Sequence, residues 1–287
     1  MTLSPADVQR LLADHGLHPR RSLGQNFVVD ANTVRRIVRL AGVDAGTPVA
    51  EVGAGLGSLT LALAETGAHV VAIEVDPALV TVLRKVLGSQ VPRVDVTVVQ
   101  GDALRLEWER VLSADRGPWH LVANLPYNVA TPVVVGVLEG APQVASMVVM
   151  VQREVGERMA ASAGEGAYGA MSVKIAYWAE ATVVGRVSPT VFFPRPKVTS
   201  VLVRIDRRLE PAVPPSVVDY RRFCTVVNAG FTQRRKMLRR SLAGVVDPAA
   251  FDAVGVRADA RAEELDVTAW GKLSGWGRTD PGIRDRT

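Results

Sequence analysis

Short apolar runs alternate with helix-like stretches over the first two-thirds of the chain, and this alternation limits the available folds more than any other feature. Strand-like runs rich in Val, Ile and Ala occur at residues 49–52, 70–75, 94–99, 120–123 and 147–151. Helical spacing or helix-start signals separate them at residues 58–66, 77–87 and 131–138. Strands that alternate with helices form βαβ units, whose parallel sheet is covered on both faces. We therefore predict a doubly wound α/β domain.

The last third of the chain changes character after a Pro-rich segment at residues 209–215. Two further strand-like runs precede this segment, at residues 181–187 and 199–205. Beyond it strand-like runs disappear, and residues 217–229, 232–242 and 262–273 read as helices. A Pro-rich break at a change of pattern is typical of a domain boundary. The 287 residues are thus predicted to form an α/β domain at 1–208 and a small α-helical domain at 209–287.

Several classes of protein are excluded by simple counts. With 48% hydrophobic residues the chain can build a sizeable core, so it is not intrinsically disordered. Cys224 is the single cysteine, which rules out an intramolecular disulfide and a cysteine metal cluster. The longest apolar run, at residues 144–151, is far shorter than the roughly 20 residues needed to span a bilayer. We expect a cytoplasmic protein without a metal.

A glycine-rich turn follows the first of these strands and indicates a ligand site. Gly53, Gly55 and Gly57 alternate with Ala54 and Leu56, so the spacing is G-x-G-x-G. Such a turn lets a ligand lie against bare backbone, although the motif alone is also compatible with a purely structural turn. It differs from the G-x-G-x-x-G that cradles a pyrophosphate. The spacing therefore favours a nucleoside ligand that carries no phosphates.

Acidic side chains end the second and third predicted strands. Glu74 is placed to accept hydrogen bonds from both hydroxyls of a ribose, and Asp102 from an adenine amine. One such acid is commonly a helix cap. Two acids at successive strand ends, beside a glycine-rich turn, together indicate a site for an adenosyl ligand. S-adenosylmethionine fits this site because no phosphate-binding motif is present.

The fourth predicted strand ends in the most specific motif of the chain, Asn124-Leu125-Pro126-Tyr127-Asn128. The Asn124 amide offers a neutral acceptor, and Pro126 biases Leu125 toward an extended conformation that exposes backbone carbonyls. Tyr127 offers a flat face on which a base can stack. This group suits a planar exocyclic amine, held by two acceptors and aimed at a sulfonium methyl group. A structural Asn-Pro turn would leave Tyr127 unexplained.

The complete series of motifs resembles the ribosomal RNA adenine dimethyltransferase family. The motifs are GQNFVVD (residues 24–30), EVGAGLG, AIEVD, GDAL, NLPYN, YGAMSV, FFPRPKVTS, GFTQRRKMLRRSL and RAEEL. Their order and spacing cover residues 20–273, and the later motifs resemble the small-subunit branch. The chain departs from the family pattern at Ala54, where Pro is usual, and at Val28, where Leu is usual. The resemblance implies a Rossmann-like S-adenosylmethionine-dependent methyltransferase domain followed by a small C-terminal α-helical domain.

The resemblance also implies the substrates and the site residues. The methyl donor would be S-adenosylmethionine, and the acceptors two adjacent adenosines near the 3′ end of 16S rRNA, dimethylated in immature 30S subunits by a monomeric enzyme. The target base must leave its helix or loop to be reached. The donor would be bound by Asn26, Val28, Gly53, Gly55, Glu74, Asp102 and Asn124. The acceptor amine and its base would be held by Asn124, the backbone of Leu125 and Pro126, and the rings of Tyr127 and Phe193.

Positive charge is concentrated in one segment. Residues 195–245 carry twelve basic and three acidic residues, a net charge of +9, whereas the remainder carries 22 basic and 26 acidic residues, a net charge of −4. Charge runs are often only solvated helix faces. Beside the resemblance, this distribution predicts an RNA surface whose cations contact phosphates without reading sequence. The predicted contacts are Arg234, Arg235, Lys236 and Arg239, joined by Arg20 and Arg21.

Three other functions remain open at this point. Large-subunit ribosomal RNA dimethyltransferases of the macrolide-resistance type share the donor motifs and differ in the acceptor. DNA adenine methyltransferases usually carry Asp where this chain has Asn124, which counts against that class. The third alternative is an assembly factor that docks on immature small subunits, with methylation as a secondary activity.

Overall fold

The computed structural model describes residues 2–20, 23–90, 95–126 and 129–277. The strands of this part of the chain are β1 (Phe27–Val28), β2 (Pro48–Val52), β3 (His69–Glu74), β4 (Val96–Gln100), β5 (Trp119–Asn124), β6 (Val144–Gln152), β7 (Ala179–Val187), β8 (Phe192–Phe193) and β9 (Ser200–Arg207). The helices are α1 (Pro5–Asp14), α2 (Ala31–Ala41), α3 (Ser58–Glu65), α4 (Pro77–Gln90), α5 (Trp108–Val111), α6 (Ala130–Gly140), α7 (Arg153–Ala160), α8 (Ala170–Trp178), α9 (Tyr220–Thr232), α10 (Leu238–Ser241), α11 (Ala249–Val254) and α12 (Val267–Gly275).

A seven-stranded sheet with the order β4-β3-β2-β5-β6-β9-β7 organises the α/β part. Strands β2 to β6 pair in parallel, and β9 is antiparallel to β6. All residues of β2 and β3 are buried, as expected for central strands with helices on both faces. The parallel order brings the carboxyl ends of β2, β3, β4 and β5 to one edge of the sheet. The five parallel strands predicted from the apolar runs are thereby confirmed.

Local sequence signals set the helix boundaries. The Asp30 side chain accepts from the Thr33 N–H at 2.6 Å and caps the start of α2, which ends at Gly42 in the left-handed conformation. Asp76 caps α4 in the same way, since its Oδ1 accepts from the Ala78 N–H at 3.1 Å. The connections from β1 to α2 and from β3 to α4 are therefore short and defined.

The chain divides into two compact units. The first contains Met1–Gly156 and Ala181–Arg207, and the second contains Glu157–Glu180 and Arg208–Thr287. The boundary after Arg207 lies next to the one expected at residue 208, but residues 157–180 belong to the second unit. The physical reason is that Tyr168, Val173 and Tyr177 are buried in the hydrophobic core of that unit, with Phe223 and Trp270.

The second unit departs from the sequence expectation in two places. Residues 232–242 do not form one helix: α9 ends at Thr232, a turn follows, and α10 begins only at Leu238. Met237 is extended between them and bridges to Arg261. Residues 262–273 are likewise broken, because Asp266 caps a new helix by accepting from the Ala269 N–H at 2.7 Å.

A membrane-spanning role finds no support among the described helices. None of them combines the length and the apolar character that a bilayer crossing requires.

Arg207 anchors the C-terminal end of α6. Its guanidinium donates to the carbonyls of Val144 at 2.7 Å, Leu138 at 2.9 Å, and Val137 and Ala141 at 3.1 Å. Burial lowers the pKa of Arg207, but these carbonyls at a helix C-terminus favour the cation.

We predict that Arg207→Ala destabilises the protein by about 2–4 kcal/mol, because it leaves several half-buried carbonyls without their charged donor. Urea unfolding of this variant beside the exposed-loop control Arg195→Ala measures the loss. Equal midpoints for the two variants would contradict the anchoring role.

Candidate functional site

A cavity opens at the sheet edge where the carboxyl ends of the parallel strands meet. Its walls come from the turn after β2, the ends of β3, β4 and β5, and the segment that leads into β1. Residues 23–28 of that segment are called the strap below. No Lys or Arg is among the described residues that line the cavity. The cavity therefore presents backbone, carboxylates and apolar side chains, but no cation to hold a phosphate.

The glycine turn provides the bare backbone that its sequence predicted. Gly53, Gly55 and Gly57 have φ angles of 78°, 59° and 97°, a region that L side chains rarely adopt. A Cβ at Gly53 would lie 3.4 Å from the Asn124 carbonyl oxygen, and one at Gly55 would lie 3.2 Å from the Phe27 ring. A side chain at Gly55 would therefore crowd the Phe27 ring, whereas one at Gly53 would be disfavoured mainly by the backbone conformation.

Glu74 joins the tips of β2 and β3. Its Oε2 accepts from the Gly55 N–H at 2.8 Å, and its Oε1 accepts from the Asp76 N–H at 2.9 Å. Only 6% of the residue is exposed, and burial raises the pKa of its carboxyl. Each carboxylate oxygen keeps a further lone pair, so the group can still accept from a pair of hydroxyls in the cavity.

Asp102 also lines the cavity, just after the end of β4. Its Oδ1 accepts from the Leu104 N–H at 3.0 Å, which fixes the carboxylate at the cavity rim. Val75 and Leu104 also line the cavity, and each is nearly half exposed. Apolar side chains and a carboxylate are the groups that a flat heterocycle with an exocyclic amine requires.

Asn124 has a defined amide orientation. Its Nδ2 donates to the Asn26 carbonyl oxygen at 2.9 Å, which leaves Oδ1 as the acceptor that the side chain can offer a ligand. The Leu125 N–H donates to the Met150 carbonyl at 3.1 Å and holds the motif against β6. The Pro126 carbonyl accepts from the N–H groups of Val129 and Ala130, both at 3.1 Å, where α6 begins.

The strap closes one side of the cavity. Asn26 and Val28 both line it, and the Asn26 side chain donates to the Gly24 carbonyl at 3.0 Å. Phe27 and Val28 pair antiparallel with Phe193 and Phe192, so β8 holds the strap from outside. Phe193 is half-buried and packs against the core of the first unit. Tyr127, the other expected stacking residue, lies outside the described residues.

The predicted RNA contacts fall into two groups. Arg235, Lys236 and Arg239 are exposed around the turn between α9 and α10. Arg234 instead pairs with Glu263 at 2.7 Å and donates to the Gly166 carbonyl at 2.9 Å. The Arg20 guanidinium lies 3.4 Å from the buried Asp76 carboxylate. Two of the expected phosphate contacts are therefore occupied by acidic partners. Arg21 lies outside the described residues.

Glu51 is a cavity residue to which the sequence reasoning assigned no role. It is 1% exposed, and its Oε2 has no hydrogen-bond partner in the described structure. Burial raises the pKa of its carboxyl from 4.5 to about 8, and the neighbouring Glu74 charge adds to the rise. The sequence did contain a signal for Glu51, namely an acidic residue inside an otherwise apolar strand.

Val75 and Leu104 also line the cavity and were not identified from the sequence, because exposed apolar residues are common and carry little signal.

Among the residues that the structure describes, no group of three or more His, Cys, Asp or Glu side chains is arranged to hold a metal ion.

Comparisons with known proteins identify the family of the chain. The sequence matches the family described as ribosomal RNA adenine dimethylase over residues 16–276. It is 47% identical over 280 residues to the ribosomal RNA small subunit methyltransferase A of Leifsonia xyli, which covers 95% of this chain and 97% of that relative. It is 48% identical over 275 residues to the protein of the same name from Cutibacterium acnes, with coverages of 92% and 91%.

Solved structures show the same fold. A dimethyladenosine transferase from Plasmodium falciparum superimposes with a TM-score of 0.72 at 20% identity, over 86% of this chain and 95% of that one. The 23S rRNA methyltransferase ErmE gives a TM-score of 0.66 at 28% identity, over 86% of this chain and 98% of that one. These likenesses confirm the predicted Rossmann-like α/β methyltransferase fold.

The buried Glu51 carboxyl makes a pH-dependent prediction. Its pKa in the folded protein, about 8, exceeds the ordinary value of 4.5, so the folded state retains a proton that the unfolded state loses. The tighter binding of this proton by the folded protein stabilises it fully below about pH 4.5. The stabilisation is lost as the pH rises through about 8, because the folded protein must then hold an ionised carboxylate in a buried position.

We expect Glu51→Gln to have a Tm similar to that of the wild type at pH 5 and a Tm higher by about 5 °C or more at pH 9. Calorimetry of the two proteins across this range, with the exposed control Glu109→Gln, measures the difference. A difference between Glu51→Gln and wild type that stays constant with pH would refute the buried-acid assignment.

Proposed function

Since the chain belongs to the ribosomal RNA adenine dimethylase family, we propose that it dimethylates the N6 amines of two adjacent adenosines near the 3′ end of 16S rRNA. The methyl donor is S-adenosylmethionine, and the substrate is the immature small ribosomal subunit. The enzyme acts as a cytoplasmic monomer and contributes to small-subunit biogenesis. The observation that carries this proposal is the orientation of the Asn124 amide, which donates to the Asn26 carbonyl and so offers its oxygen to an amine.

The residues present fit S-adenosylmethionine. The bare backbone at Gly53 and Gly55 accommodates a close ligand, and Glu74 is placed to accept from the ribose hydroxyls. Asp102, which lines the cavity together with Val75 and Leu104, is placed to accept from the adenine amine. The absence of Lys and Arg from the described cavity lining favours a donor without phosphates over a dinucleotide. Asn26, Val28 and Asn124 complete the donor site.

The reaction needs positioning rather than a titrating base. S-adenosylmethionine supplies its methyl group from a positively charged sulfur, so the C–S electron pair stays on sulfur as the amine nitrogen forms the new N–C bond. Asn124 Oδ1 accepts one amine hydrogen and directs the nitrogen lone pair at the methyl group. The Leu125 carbonyl accepts the second hydrogen, because the Pro126 carbonyl already starts α6. The proton leaves once nitrogen is alkylated and acidic.

The target base stacks between Tyr127 and Phe193 after it leaves its helix or loop. The backbone pairing of Phe193 with Phe27 supports this role, because Phe27 lines the donor cavity and Phe193 is its neighbour in the two-stranded sheet. Arg235, Lys236 and Arg239 contact phosphates elsewhere on the RNA. We assign Arg234 to bracing the second unit through Glu263 rather than to RNA.

Methyl transfer tests the acceptor and the branch of the family together. Labelled S-adenosylmethionine is incubated with unmethylated small subunits, naked RNA and large subunits, and the modified bases are mapped. Dimethyladenosine at an adjacent pair on small subunits alone is expected. Label on large-subunit RNA would instead support the large-subunit alternative, for which there is a similar solved structure, the 23S rRNA methyltransferase ErmE at 28% identity. Tight particle binding without transfer would indicate a docking factor.

Asn124→Ala is expected to lower kcat by about 10²–10³-fold, because it removes one acceptor from the reacting amine. The affinity for S-adenosylmethionine, measured by calorimetry, is expected to fall by no more than about tenfold, because the variant also loses the contact with the Asn26 carbonyl of the strap. Asn32→Ala, an exposed helix substitution, is the matched control. Turnover by Asn124→Ala at the wild-type rate would refute the acceptor role.

Replacement of Arg235, Lys236 and Arg239 together by Gln is expected to weaken RNA binding and to reduce the slope of log K against log salt by about 2–3 units. The measurement is a salt series of binding to small-subunit RNA, with Lys272→Gln as control. An unchanged slope would show that these cations do not contact phosphates.

A further inference from the structure

Asp76 connects the methyl-donor site to the strap. One of its carboxylate oxygens, Oδ1, caps α4 at the Ala78 N–H. The other, Oδ2, faces the chain segment before β1, where it accepts from Gln25 Nε2 at 3.1 Å and lies 3.4 Å from the Arg20 guanidinium. The Asp76 backbone N–H donates to Glu74 Oε1 at 2.9 Å. A single residue thus contacts the ribose-binding acid, a helix start and the strap.

Both the oxygen and the nitrogen of the Gln25 side-chain amide make hydrogen bonds. Its Oε1 accepts from the Arg20 backbone N–H at 2.8 Å, while its Nε2 donates to Asp76. The Gln25 N–H in turn donates to the Arg20 carbonyl at 3.3 Å, so the segment closes on itself. A shorter or charged side chain cannot satisfy the two partners at once. We refer to the contacts among Arg20, Gln25 and Asp76 as the clasp.

The clasp lies next to the strap residues that line the cavity. Asn26 follows Gln25 directly, and its carbonyl accepts from Asn124. Phe27 follows, with its ring against the position that a Gly55 side chain would occupy. The Asp76 side chain is only 4% exposed, so its hydrogen bond from Gln25 is largely shielded from solvent. The Arg20 side chain is 57% exposed, so the ion pair adds less than the hydrogen bond. Opening the clasp therefore frees the strap at the donor end of the cavity.

We propose that Gln25 and Asp76 are positioning residues that set the affinity for the methyl donor by holding the strap closed. This role rests on the proposed function, because it assumes that S-adenosylmethionine occupies the cavity. Neither residue is a catalytic residue in this proposal, since each acts through Asn26, Phe27 and Glu74. Arg20 then serves mainly the donor site, although its side chain is 57% exposed.

Asp76→Asn is expected to break the clasp while leaving the fold intact. Asn caps helices as well as Asp does, so the start of α4 is preserved. With its oxygen committed to the Ala78 N–H, the new amide NH₂ faces the Gln25 and Arg20 donors and cannot accept from them. Gln25→Ala removes the same contact from the strap side. Asp14→Asn, an exposed change of the same chemistry near the same segment, is the matched control.

The test compares the full-length variants by calorimetric titration with S-adenosylmethionine and by methyl transfer to unmethylated small subunits. Each clasp variant is expected to raise the donor Kd and KM about tenfold and to leave kcat at saturating donor within about threefold of the wild type. The double variant is expected to lose no more than about twofold beyond either single variant, because the two residues share one contact. The control is expected to match the wild type.

Each result has a distinct meaning. Wild-type Kd and KM in both clasp variants would overturn the positioning role and leave the proposed function intact. A fall in kcat with unchanged KM would also overturn it, since that pattern indicates a loss of folded or competent enzyme rather than of donor affinity. Failure of the wild type itself to bind S-adenosylmethionine would overturn the proposed function and the role of the clasp with it.

Discussion

The hydrogen bond from the Gly55 N–H to the Glu74 carboxylate is the contact on which the arrangement of the site depends. At 2.8 Å it joins the turn after β2 to the tip of β3. It requires a left-handed backbone at Gly55 and a carboxylate held in a nearly solvent-free position. The same carboxylate accepts from Asp76, which caps α4 and contacts Gln25. One buried acid thus organises the glycine turn, the next helix and the strap.

Buried acids distinguish this cavity from a phosphate-binding site on a similar fold. The Glu74 charge adds to the rise in the pKa of the buried Glu51 carboxyl, and no Lys or Arg lines the cavity among the described residues. Ionising a buried acid costs stability unless a positively charged ligand compensates it. A sulfonium donor with an ammonium group has the charge that this environment lacks. The glycine spacing and the electrostatics therefore favour the same class of ligand.

Positions at strand ends were the most predictable part of the site. Gly53, Gly55, Glu74, Asp102 and Asn124 follow apolar runs, and a parallel sheet brings all such positions to one edge. It was less predictable from the sequence which cations of the second unit have acidic partners. The sequence shows that Arg234 and Arg235 are adjacent, but only the fold places Glu263 against the first of them. A helix pattern at residues 232–242 was equally misleading, because helical spacing does not reveal the extended residue at Met237.

The sequence by itself determined the α/β architecture, the donor and acceptor motifs and the membership of the family. These features depend on local patterns, namely strand periodicity, turn glycines and polar residues at strand ends. Only the tertiary structure decided that the Asn124 amide donates to the Asn26 carbonyl, which cations are already paired, and that residues 157–180 belong to the second unit. Those properties arise from contacts between residues far apart in the chain, such as Asn26 with Asn124 and Gln25 with Asp76. Side-chain type and spacing do not specify such contacts until packing brings the partners together.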